Sequence, residues 1–179
     1  MLPSAARMLS VFVPAILLAL VAVAADKDTV AFKIDPKLAS LARFEGEWTV
    51  DGKWTGGNEL HARAVYEWGL EGKVLRARTY ITDGEKEYQR YEATMAWHPA
   101  RKCLYEINFT FDGSLTEHKI EAKDGKTLLV DFSPLDPEHP GKTRQTLTFL
   151  DNDHHSWKVE LQGNNGWQTL IDATWVRKK

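Results

Sequence analysis

The chain has 179 residues, with 23 basic and 25 acidic side chains and a formal net charge of -2. Neither a basic excess nor an acidic block is present, which argues against nucleic acid as a partner. A single cysteine, Cys103, excludes a disulfide within the chain, so stability must come from the core. We interpret Cys103 as a small residue packed in a strand rather than as a reactive thiol.

Residues 1–25 have the layout of a secretory signal peptide. Arg7 gives a positive start, residues 11–23 are apolar, and small residues at the cleavage spacing end at Ala24. The apolar run is shorter than the roughly 20 residues that span a bilayer, and Pro14 lies inside it. We therefore expect cleavage, export to the periplasm or beyond, and no transmembrane anchor in the mature protein. An uncleaved membrane anchor is the alternative.

The mature chain, residues 26–179, predicts a single all-β domain that begins with one short helix. Asp35 is a suitable helix cap and Pro36 fits the first helical position, so we expect a helix over residues 35–44. After it, polar and apolar residues alternate, and Gly, Asp and Asn separate the alternating segments. The predicted strands are residues 47–55, 58–69, 73–83, 86–97, 103–111, 115–122, 127–133, 143–150, 154–162 and 166–177. About ten strands joined by short hairpins favour an antiparallel up-and-down barrel, because closure removes exposed edges.

The alternation also predicts the side of the barrel wall on which each side chain lies. We assign the apolar face of each strand to the interior and the charged face to water. In the fifth strand this places Tyr105, Ile107 and Phe109 inside and Glu106 outside. In the last strand, one face carries Trp167, Thr169, Ile171, Ala173 and Trp175. A bulge would invert such an assignment, because it shifts the alternation by one residue.

Two arginines of the third strand allow opposite interpretations. Arg76 and Arg78 alternate with Leu75 and Ala77, so the two arginines share one face. Inside the barrel they would form a carboxylate trap, as in barrels that bind fatty acids. Outside the barrel they would pair with acidic residues of neighbouring strands. Because the apolar face belongs inside, we expect the arginines to point outward.

A Gly-x-Trp motif that starts at Gly46, just after the predicted helix, resembles the entry of lipocalin-like barrels of the calycin type. Residues 68–75 resemble the second hairpin of bacterial exported lipocalin-like domains of unknown function, and residues 97–105 resemble their central turn. The resemblance covers residues 38–177, extends distantly to nitrobindins and fatty-acid-binding proteins, and implies that the tryptophan plugs one end of the barrel. Val50 stands where the heme-binding nitrobindins carry a second glycine, which counts against a direct heme assignment.

His118 and His155 are the two histidines that the alternation places on inner faces. Each is either a heme or metal ligand, a polar anchor for a ligand, or a hydrogen-bonded histidine of the barrel wall. His154 is expected to face the opposite side from its neighbour. No metal-binding motif, paired-carboxylate set or nucleophile elbow stands out in the sequence. We therefore expect no enzyme, no catalytic residue, no metal ligand and no cofactor.

We predict that the barrel cavity binds a small, largely apolar molecule such as a lipid or a fatty acid, because the inner faces are rich in aromatic residues. The side chains expected to line the cavity are Tyr66, Tyr91, Met95, Tyr105, Ile107, His118, Trp157 and Trp167. Three alternatives stay open. They are a heme or metal protein of nitrobindin type, an enzyme that uses a buried histidine, and a filled barrel that serves as an envelope scaffold.

Overall fold

A computed structural model describes residues 32–133 and 143–179 of the chain. The predicted signal peptide, residues 1–25, lies outside the described residues. Within the described ranges, no helix has the length and the apolar character needed to cross a membrane.

Ten antiparallel strands form a closed barrel, which confirms the predicted fold class. Each strand pairs with its neighbours in the sequence, and β1 closes the barrel on β10. The strands are β1 (Gly46–Lys53), β2 (Glu59–Gly69), β3 (Val74–Asp83), β4 (Lys86–His98), β5 (Cys103–Thr110), β6 (Leu115–Ala122), β7 (Thr127–Ser133), β8 (Thr143–Phe149), β9 (His154–Gly163) and β10 (Gly166–Arg177). Short turns join most neighbouring strands and favour pairing of each strand with the next one, which gives the up-and-down order.

A short 3₁₀ helix, Pro36–Phe44, precedes the barrel and confirms the predicted helix. The Asp35 carboxylate accepts a hydrogen bond from the Lys37 amide at 2.9 Å, which is the capping contact that the sequence predicts. Leu41 and Phe44 are buried on the apolar face of the helix and line the interior of the barrel. The helix therefore closes one end of the barrel.

Trp48 is buried at this closed end, where the Gly-x-Trp resemblance implies a plug. Its side chain is fully buried, and its Nε1 donates a hydrogen bond to the Phe44 carbonyl oxygen at 2.7 Å. The guanidinium carbon of Arg177 lies 4.2 Å from the centroid of the indole. The same guanidinium donates to the carbonyl oxygens of Arg43 and Glu45. The last strand thus satisfies backbone carbonyls that the end of the helix leaves without partners.

The arginines of β3 lie on the outer surface, as predicted. Arg78 forms an ion pair with Glu67 of the neighbouring strand β2. Ala77 and Thr79, which alternate with the arginines, line the interior. These arginines are therefore not available to a ligand inside the barrel.

Strand β5 turns the opposite face inward from the one predicted. Ile107 is 36% exposed and Phe109 is 48% exposed, whereas Glu106 lines the interior. Residues that lie directly opposite each other in neighbouring strands share a face, and Glu106 lies opposite Met95 on one side and His118 on the other. Both of these partners are buried. The register of the whole sheet therefore decides the inner face of β5, and the apolar character of that strand does not.

Strand β10 changes its inner face at a bulge. The register with β9 shifts between Thr169 and Ile171, so Leu170 is an extra residue in the ladder. Ile171 after the bulge is buried, whereas Trp167 before it is 37% exposed. The prediction of a single shared face along this strand was wrong, because the bulge shifts the alternation by one residue.

Candidate ligand-binding cavity

The barrel encloses a cavity of about 270 Å³. Small side chains on three adjacent strands help to create it, since Ala62, Ala77 and Ala93 all face this space. Ala77 lies directly opposite Ala93 in the β3–β4 pair, so neither of these two strands projects a large side chain into the cavity at that level. The volume is close to the ~300 Å³ at which ligand pockets usually begin, so the cavity suits a small molecule.

Three tryptophans form one side of the cavity. The ring centroid of Trp157 lies 6.0 Å from that of Trp54 and 6.1 Å from that of Trp175, and both pairs meet edge to face. Nε1 of Trp157 donates a hydrogen bond to Oε1 of Gln145 at 2.9 Å, which fixes the orientation of the indole. The fixed rings offer a rigid apolar surface to a ligand.

Glu106 on β5 and His118 on β6 form a polar pair. In the closed strand order, β5 lies five strands away from β10, so the pair is on the opposite side of the barrel from β10. His118 Nδ1 and Glu106 Oε1 are 3.1 Å apart. Because an ionised carboxylate only accepts hydrogen bonds, the histidine is the donor. The His118 side chain has no exposed surface, whereas the Glu106 side chain is 16% exposed and lines the cavity. The histidine therefore holds the carboxylate from behind while the carboxylate faces the cavity.

Tyr66 on β2 lines the same cavity and contacts the closed end of the barrel. Its ring centroid lies 5.2 Å from that of Phe44. Burial raises the pKa of the Tyr66 phenol, and the negative charge of Glu106 acts in the same direction. Tyr66 is half-buried and lines the cavity. Tyr66 is therefore a neutral hydrogen-bonding group in the cavity wall.

The closed end contains an aromatic plug, defined here as Phe44, Trp48, Phe149, His155 and Trp175. The ring centroid of His155 lies 4.8 Å from that of Trp48, and the ring stacks on Trp175 at 6.1 Å. Burial lowers the pKa of His155 to about 4, and the positive charge of Arg177 acts in the same direction. Nδ1 contacts the Ser156 carbonyl oxygen at 3.4 Å, while Nε2 is buried without a hydrogen-bond partner. The plug thus holds a neutral histidine at one end of the cavity.

Four of the residues predicted to line the cavity do line it, namely Tyr66, Tyr91, Met95 and Trp157. His118 is inside the barrel but stands behind Glu106 rather than at the surface of the cavity. Whether any of these side chains touches a ligand stays a prediction.

Three predicted lining residues, Tyr105, Ile107 and Trp167, lie on the outer side of the wall. The hydroxyl of Tyr105 donates a hydrogen bond to Oε2 of Glu117 at 2.6 Å. The guanidinium carbon of Arg144 lies 4.0 Å from the ring centroid of Trp167. These placements correct the predicted set, and they follow from the inverted face of β5 and the bulge in β10.

Glu106, Asn108 and Gln145 line the cavity although the sequence reasoning did not select them. The alternation predicts that the polar residues of β5 face solvent, because they alternate with large apolar residues. One signal in the sequence points to the correct face, since the hairpin between β5 and β6 sets Glu106 opposite His118. A histidine assigned to the interior implies that its cross-strand partner is also inside.

The site does not fit a heme or a metal centre. In the part of the chain that the structure describes, no group of three or more His, Cys, Asp and Glu side chains is placed to hold a metal ion. The ring of His155 is surrounded by the other four members of the aromatic plug, with centroid distances of 4.8 Å to Trp48, 5.4 Å to Phe44, 5.5 Å to Phe149 and 6.1 Å to Trp175. His118 is bonded to Glu106 and has no exposed surface. His155 reaches the cavity only at the edge of the plug, with 1% of its surface exposed, and His118 is not among the described lining residues, so the described cavity offers no exposed histidine to a porphyrin iron.

No protein-family model matches the sequence, and no curated protein matches it either. The chain is similar in structure to the S-type phycobiliprotein lyase CPES from Guillardia theta, with a TM-score of 0.49 and 10% identity over 77% of this chain and 90% of that one. It is also similar to the redesigned β-barrel b11L5F_LGL, with a TM-score of 0.42 and 14% identity over 82% and 100% of the two chains. A third similar structure is the redesigned β-barrel mFAP1 bound to DFHBI, with a TM-score of 0.39 and 14% identity over 79% and 99%. The function must therefore be argued from the cavity itself.

Proposed function

We propose that this protein is an exported lipocalin-like barrel that binds a small, largely apolar molecule in its cavity. The observation that carries the proposal is the cavity of about 270 Å³, whose lining is mainly aliphatic and aromatic and includes a few convergent polar groups. This combination is the usual composition of small-molecule binding sites. Export is proposed on the layout of residues 1–25 alone.

The polar groups of the cavity support binding rather than catalysis. His155 is neutral and packs among aromatic rings, and among the described residues its Nδ1 contacts the Ser156 carbonyl oxygen rather than a carboxylate that would orient it as a general base. His118 stands behind Glu106 and does not reach the cavity surface. Among the described residues that line the cavity there is no serine or cysteine for a histidine to activate. The described lining residues are therefore sufficient for a binding function.

Filling the cavity tests the proposal. Ala93 is buried at the cavity wall opposite Ala77, so the substitution Ala93→Phe introduces a ring into the empty space. We expect wild-type protein to bind octan-1-ol, a neutral probe with an apolar body, and Ala93→Phe to lose at least about tenfold in affinity. Titration followed by intrinsic tryptophan fluorescence measures this effect, because Trp54, Trp157 and Trp175 line the cavity.

The matched control is Thr94→Phe on the outer face of the same strand. Thr94 lies opposite Arg76 and Ile107, which are on the outer surface, so this ring adds bulk without entering the cavity. Thr94→Phe should bind the probe as the wild type does. Equal binding by wild type and Ala93→Phe, with both variants folded by circular dichroism, would contradict binding in the cavity.

A further inference from the structure

The charge of the cavity lining is concentrated at one side chain. Glu106 is an acid, and no lysine or arginine is among the described residues that line the cavity. Tyr66 is held neutral because burial and the charge of Glu106 raise its pKa, and His155 is held neutral because burial lowers its pKa to about 4. Among the described lining residues, a ligand inside the barrel therefore meets one acidic side chain, Glu106, and no lysine or arginine.

We propose that the ligand is an apolar molecule that carries a protonated amine, and that Glu106 is the residue that binds this amine. The inference rests on the proposed binding function and names the chemical class of the ligand. It assigns the polar pair to recognition rather than to stability.

The geometry of Glu106 leaves part of its carboxylate for a ligand. His118 Nδ1 lies 3.1 Å from Oε1, and the Glu106 side chain lines the cavity and is 16% exposed. A carboxylate has about four acceptor positions, so one histidine bond does not saturate it. A protonated amine supplies donors to the remaining positions, and charge-assisted hydrogen bonds of this kind are short and strong.

The neighbours of Glu106 also suit a cation. Tyr66, whose pKa the charge of Glu106 raises, lines the cavity with an aromatic ring, and a ring face attracts a positive charge. Asn108 lies two residues along the same strand and also lines the cavity, so it adds a polar group beside the carboxylate. The apolar body of the ligand then lies against the tryptophans on the other side of the barrel.

The same arrangement disfavours a fatty acid. A ligand carboxylate next to Glu106 would bring two negative charges close together, which is unfavourable. The arginines that would offset this repulsion are on the outer surface, where Arg78 pairs with Glu67 and Arg144 pairs with Glu160. The sequence allowed a pair of arginines that would bind a ligand carboxylate. The structure instead has a glutamate in the cavity wall, which suits a ligand of positive charge.

The test compares three probes that share one alkyl chain: octylamine, octan-1-ol and octanoate. Binding of each to the purified protein is measured at near-neutral pH by tryptophan fluorescence and by calorimetry. We expect octylamine to bind at least about tenfold more tightly than octan-1-ol, because of the charge-assisted hydrogen bond to Glu106. We expect octanoate to bind more weakly than octan-1-ol.

The variant Glu106→Gln keeps the shape of the side chain and an acceptor for His118 while it removes the charge. It should reduce the affinity for octylamine by about tenfold or more and leave octan-1-ol binding within about twofold of the wild type. Glu117→Gln is the matched control, since Glu117 is a carboxylate of the next strand that bonds Tyr105 on the outer side. This control should leave the affinities for all three probes unchanged.

Each outcome decides between the two proposals. If octanoate binds as tightly as octylamine, the amine assignment is wrong. If Ala93→Phe still blocks the binding of these probes, the proposed binding function stands. Octylamine affinity that survives Glu106→Gln also overturns the assignment. If no probe binds, the proposed function and the amine assignment both fail. If Glu106→Gln does not fold, the ranking of the three probes by the wild type still decides the question.

Discussion

The barrel buries two histidines in opposite surroundings. His155 lies in the aromatic plug, where its described neighbours are rings and where burial lowers its pKa to about 4. His118 lies beside the Glu106 carboxylate at 3.1 Å, on the other side of the interior. Both residues are buried to the same extent, with 1% exposure each. The difference between them is therefore one of partners and not of depth.

This difference separates a region that stabilises the barrel from a region that we propose recognises a ligand. Buried polar groups without partners are costly, so a neutral histidine among aromatic rings contributes mainly through packing. A histidine that donates to a carboxylate instead fixes the direction of that carboxylate, and here the carboxylate faces the cavity. Substitutions in the plug should act on stability, and substitutions at the polar pair should act on binding.

The largest effect is expected from breaking the plug at Trp48. Its indole is fully buried, bonds the Phe44 carbonyl oxygen and carries the Arg177 guanidinium on its face. Trp48→Ala leaves a large void and an unsatisfied carbonyl, so we expect a loss of about 3–5 kcal/mol in the free energy of unfolding. Urea denaturation followed by circular dichroism measures the loss.

Trp167→Ala is the control for size and aromaticity. Trp167 is 37% exposed on the outer surface and contacts Arg144, so its loss should lower the free energy of unfolding by about 1 kcal/mol or less. Equal losses for the two tryptophans would show that the closed end is not the stabilising region.

An effect of intermediate size is expected from His155 at acid pH. Its pKa is about 4 in the folded protein and 6.5 when unperturbed, so above about pH 6.5 both states are neutral and contribute nothing to pH dependence. As the pH falls below that value the unfolded chain binds a proton first, so stability is lost between about pH 6.5 and about pH 4. Between about pH 7.5 and about pH 5 the wild type should lose about 2 kcal/mol from this group alone. Urea denaturation at the two pH values measures the loss.

His155→Gln removes this titration and should flatten the acid side of the stability curve, even if it lowers stability at neutral pH. His154→Gln is the matched control, because His154 is the adjacent residue, lies outside the barrel and bonds the Asp151 carboxylate at 2.9 Å. An unchanged acid slope in His155→Gln would show that this histidine is not held neutral by the plug.

The two regions were not equally predictable from the sequence. The closed end follows from local signals, since Asp35 and Pro36 start a helix and the motif at Gly46 places a tryptophan just after it. The strands also follow, because turn residues and alternation are local properties. The polar pair depends on which face of β5 is inside, and that is set by its pairing with β4 and β6. Alternation identifies the two faces of a strand but not which of them is buried. In β5 the outer face carries Ile107 and Phe109, so it is as apolar as an inner face would be.

Tyr66 gives the smallest expected effect and separates the two regions most directly. Its ring centroid lies 5.2 Å from that of Phe44 in the plug, while the residue also lines the cavity and the charge of Glu106 raises its pKa. Tyr66→Phe keeps the ring and removes the hydroxyl, so the free energy of unfolding should change by less than about 1 kcal/mol. Affinity for octylamine should fall about two- to fivefold, less than in Glu106→Gln, because a neutral group contributes less than a charged one. Urea denaturation and the fluorescence titration measure these two quantities.

Tyr105→Phe removes a hydroxyl from the outer side of the wall and should leave probe binding unchanged. A Tyr66→Phe variant that loses as much stability as Trp48→Ala would mean that the plug and the polar pair form one cooperative unit.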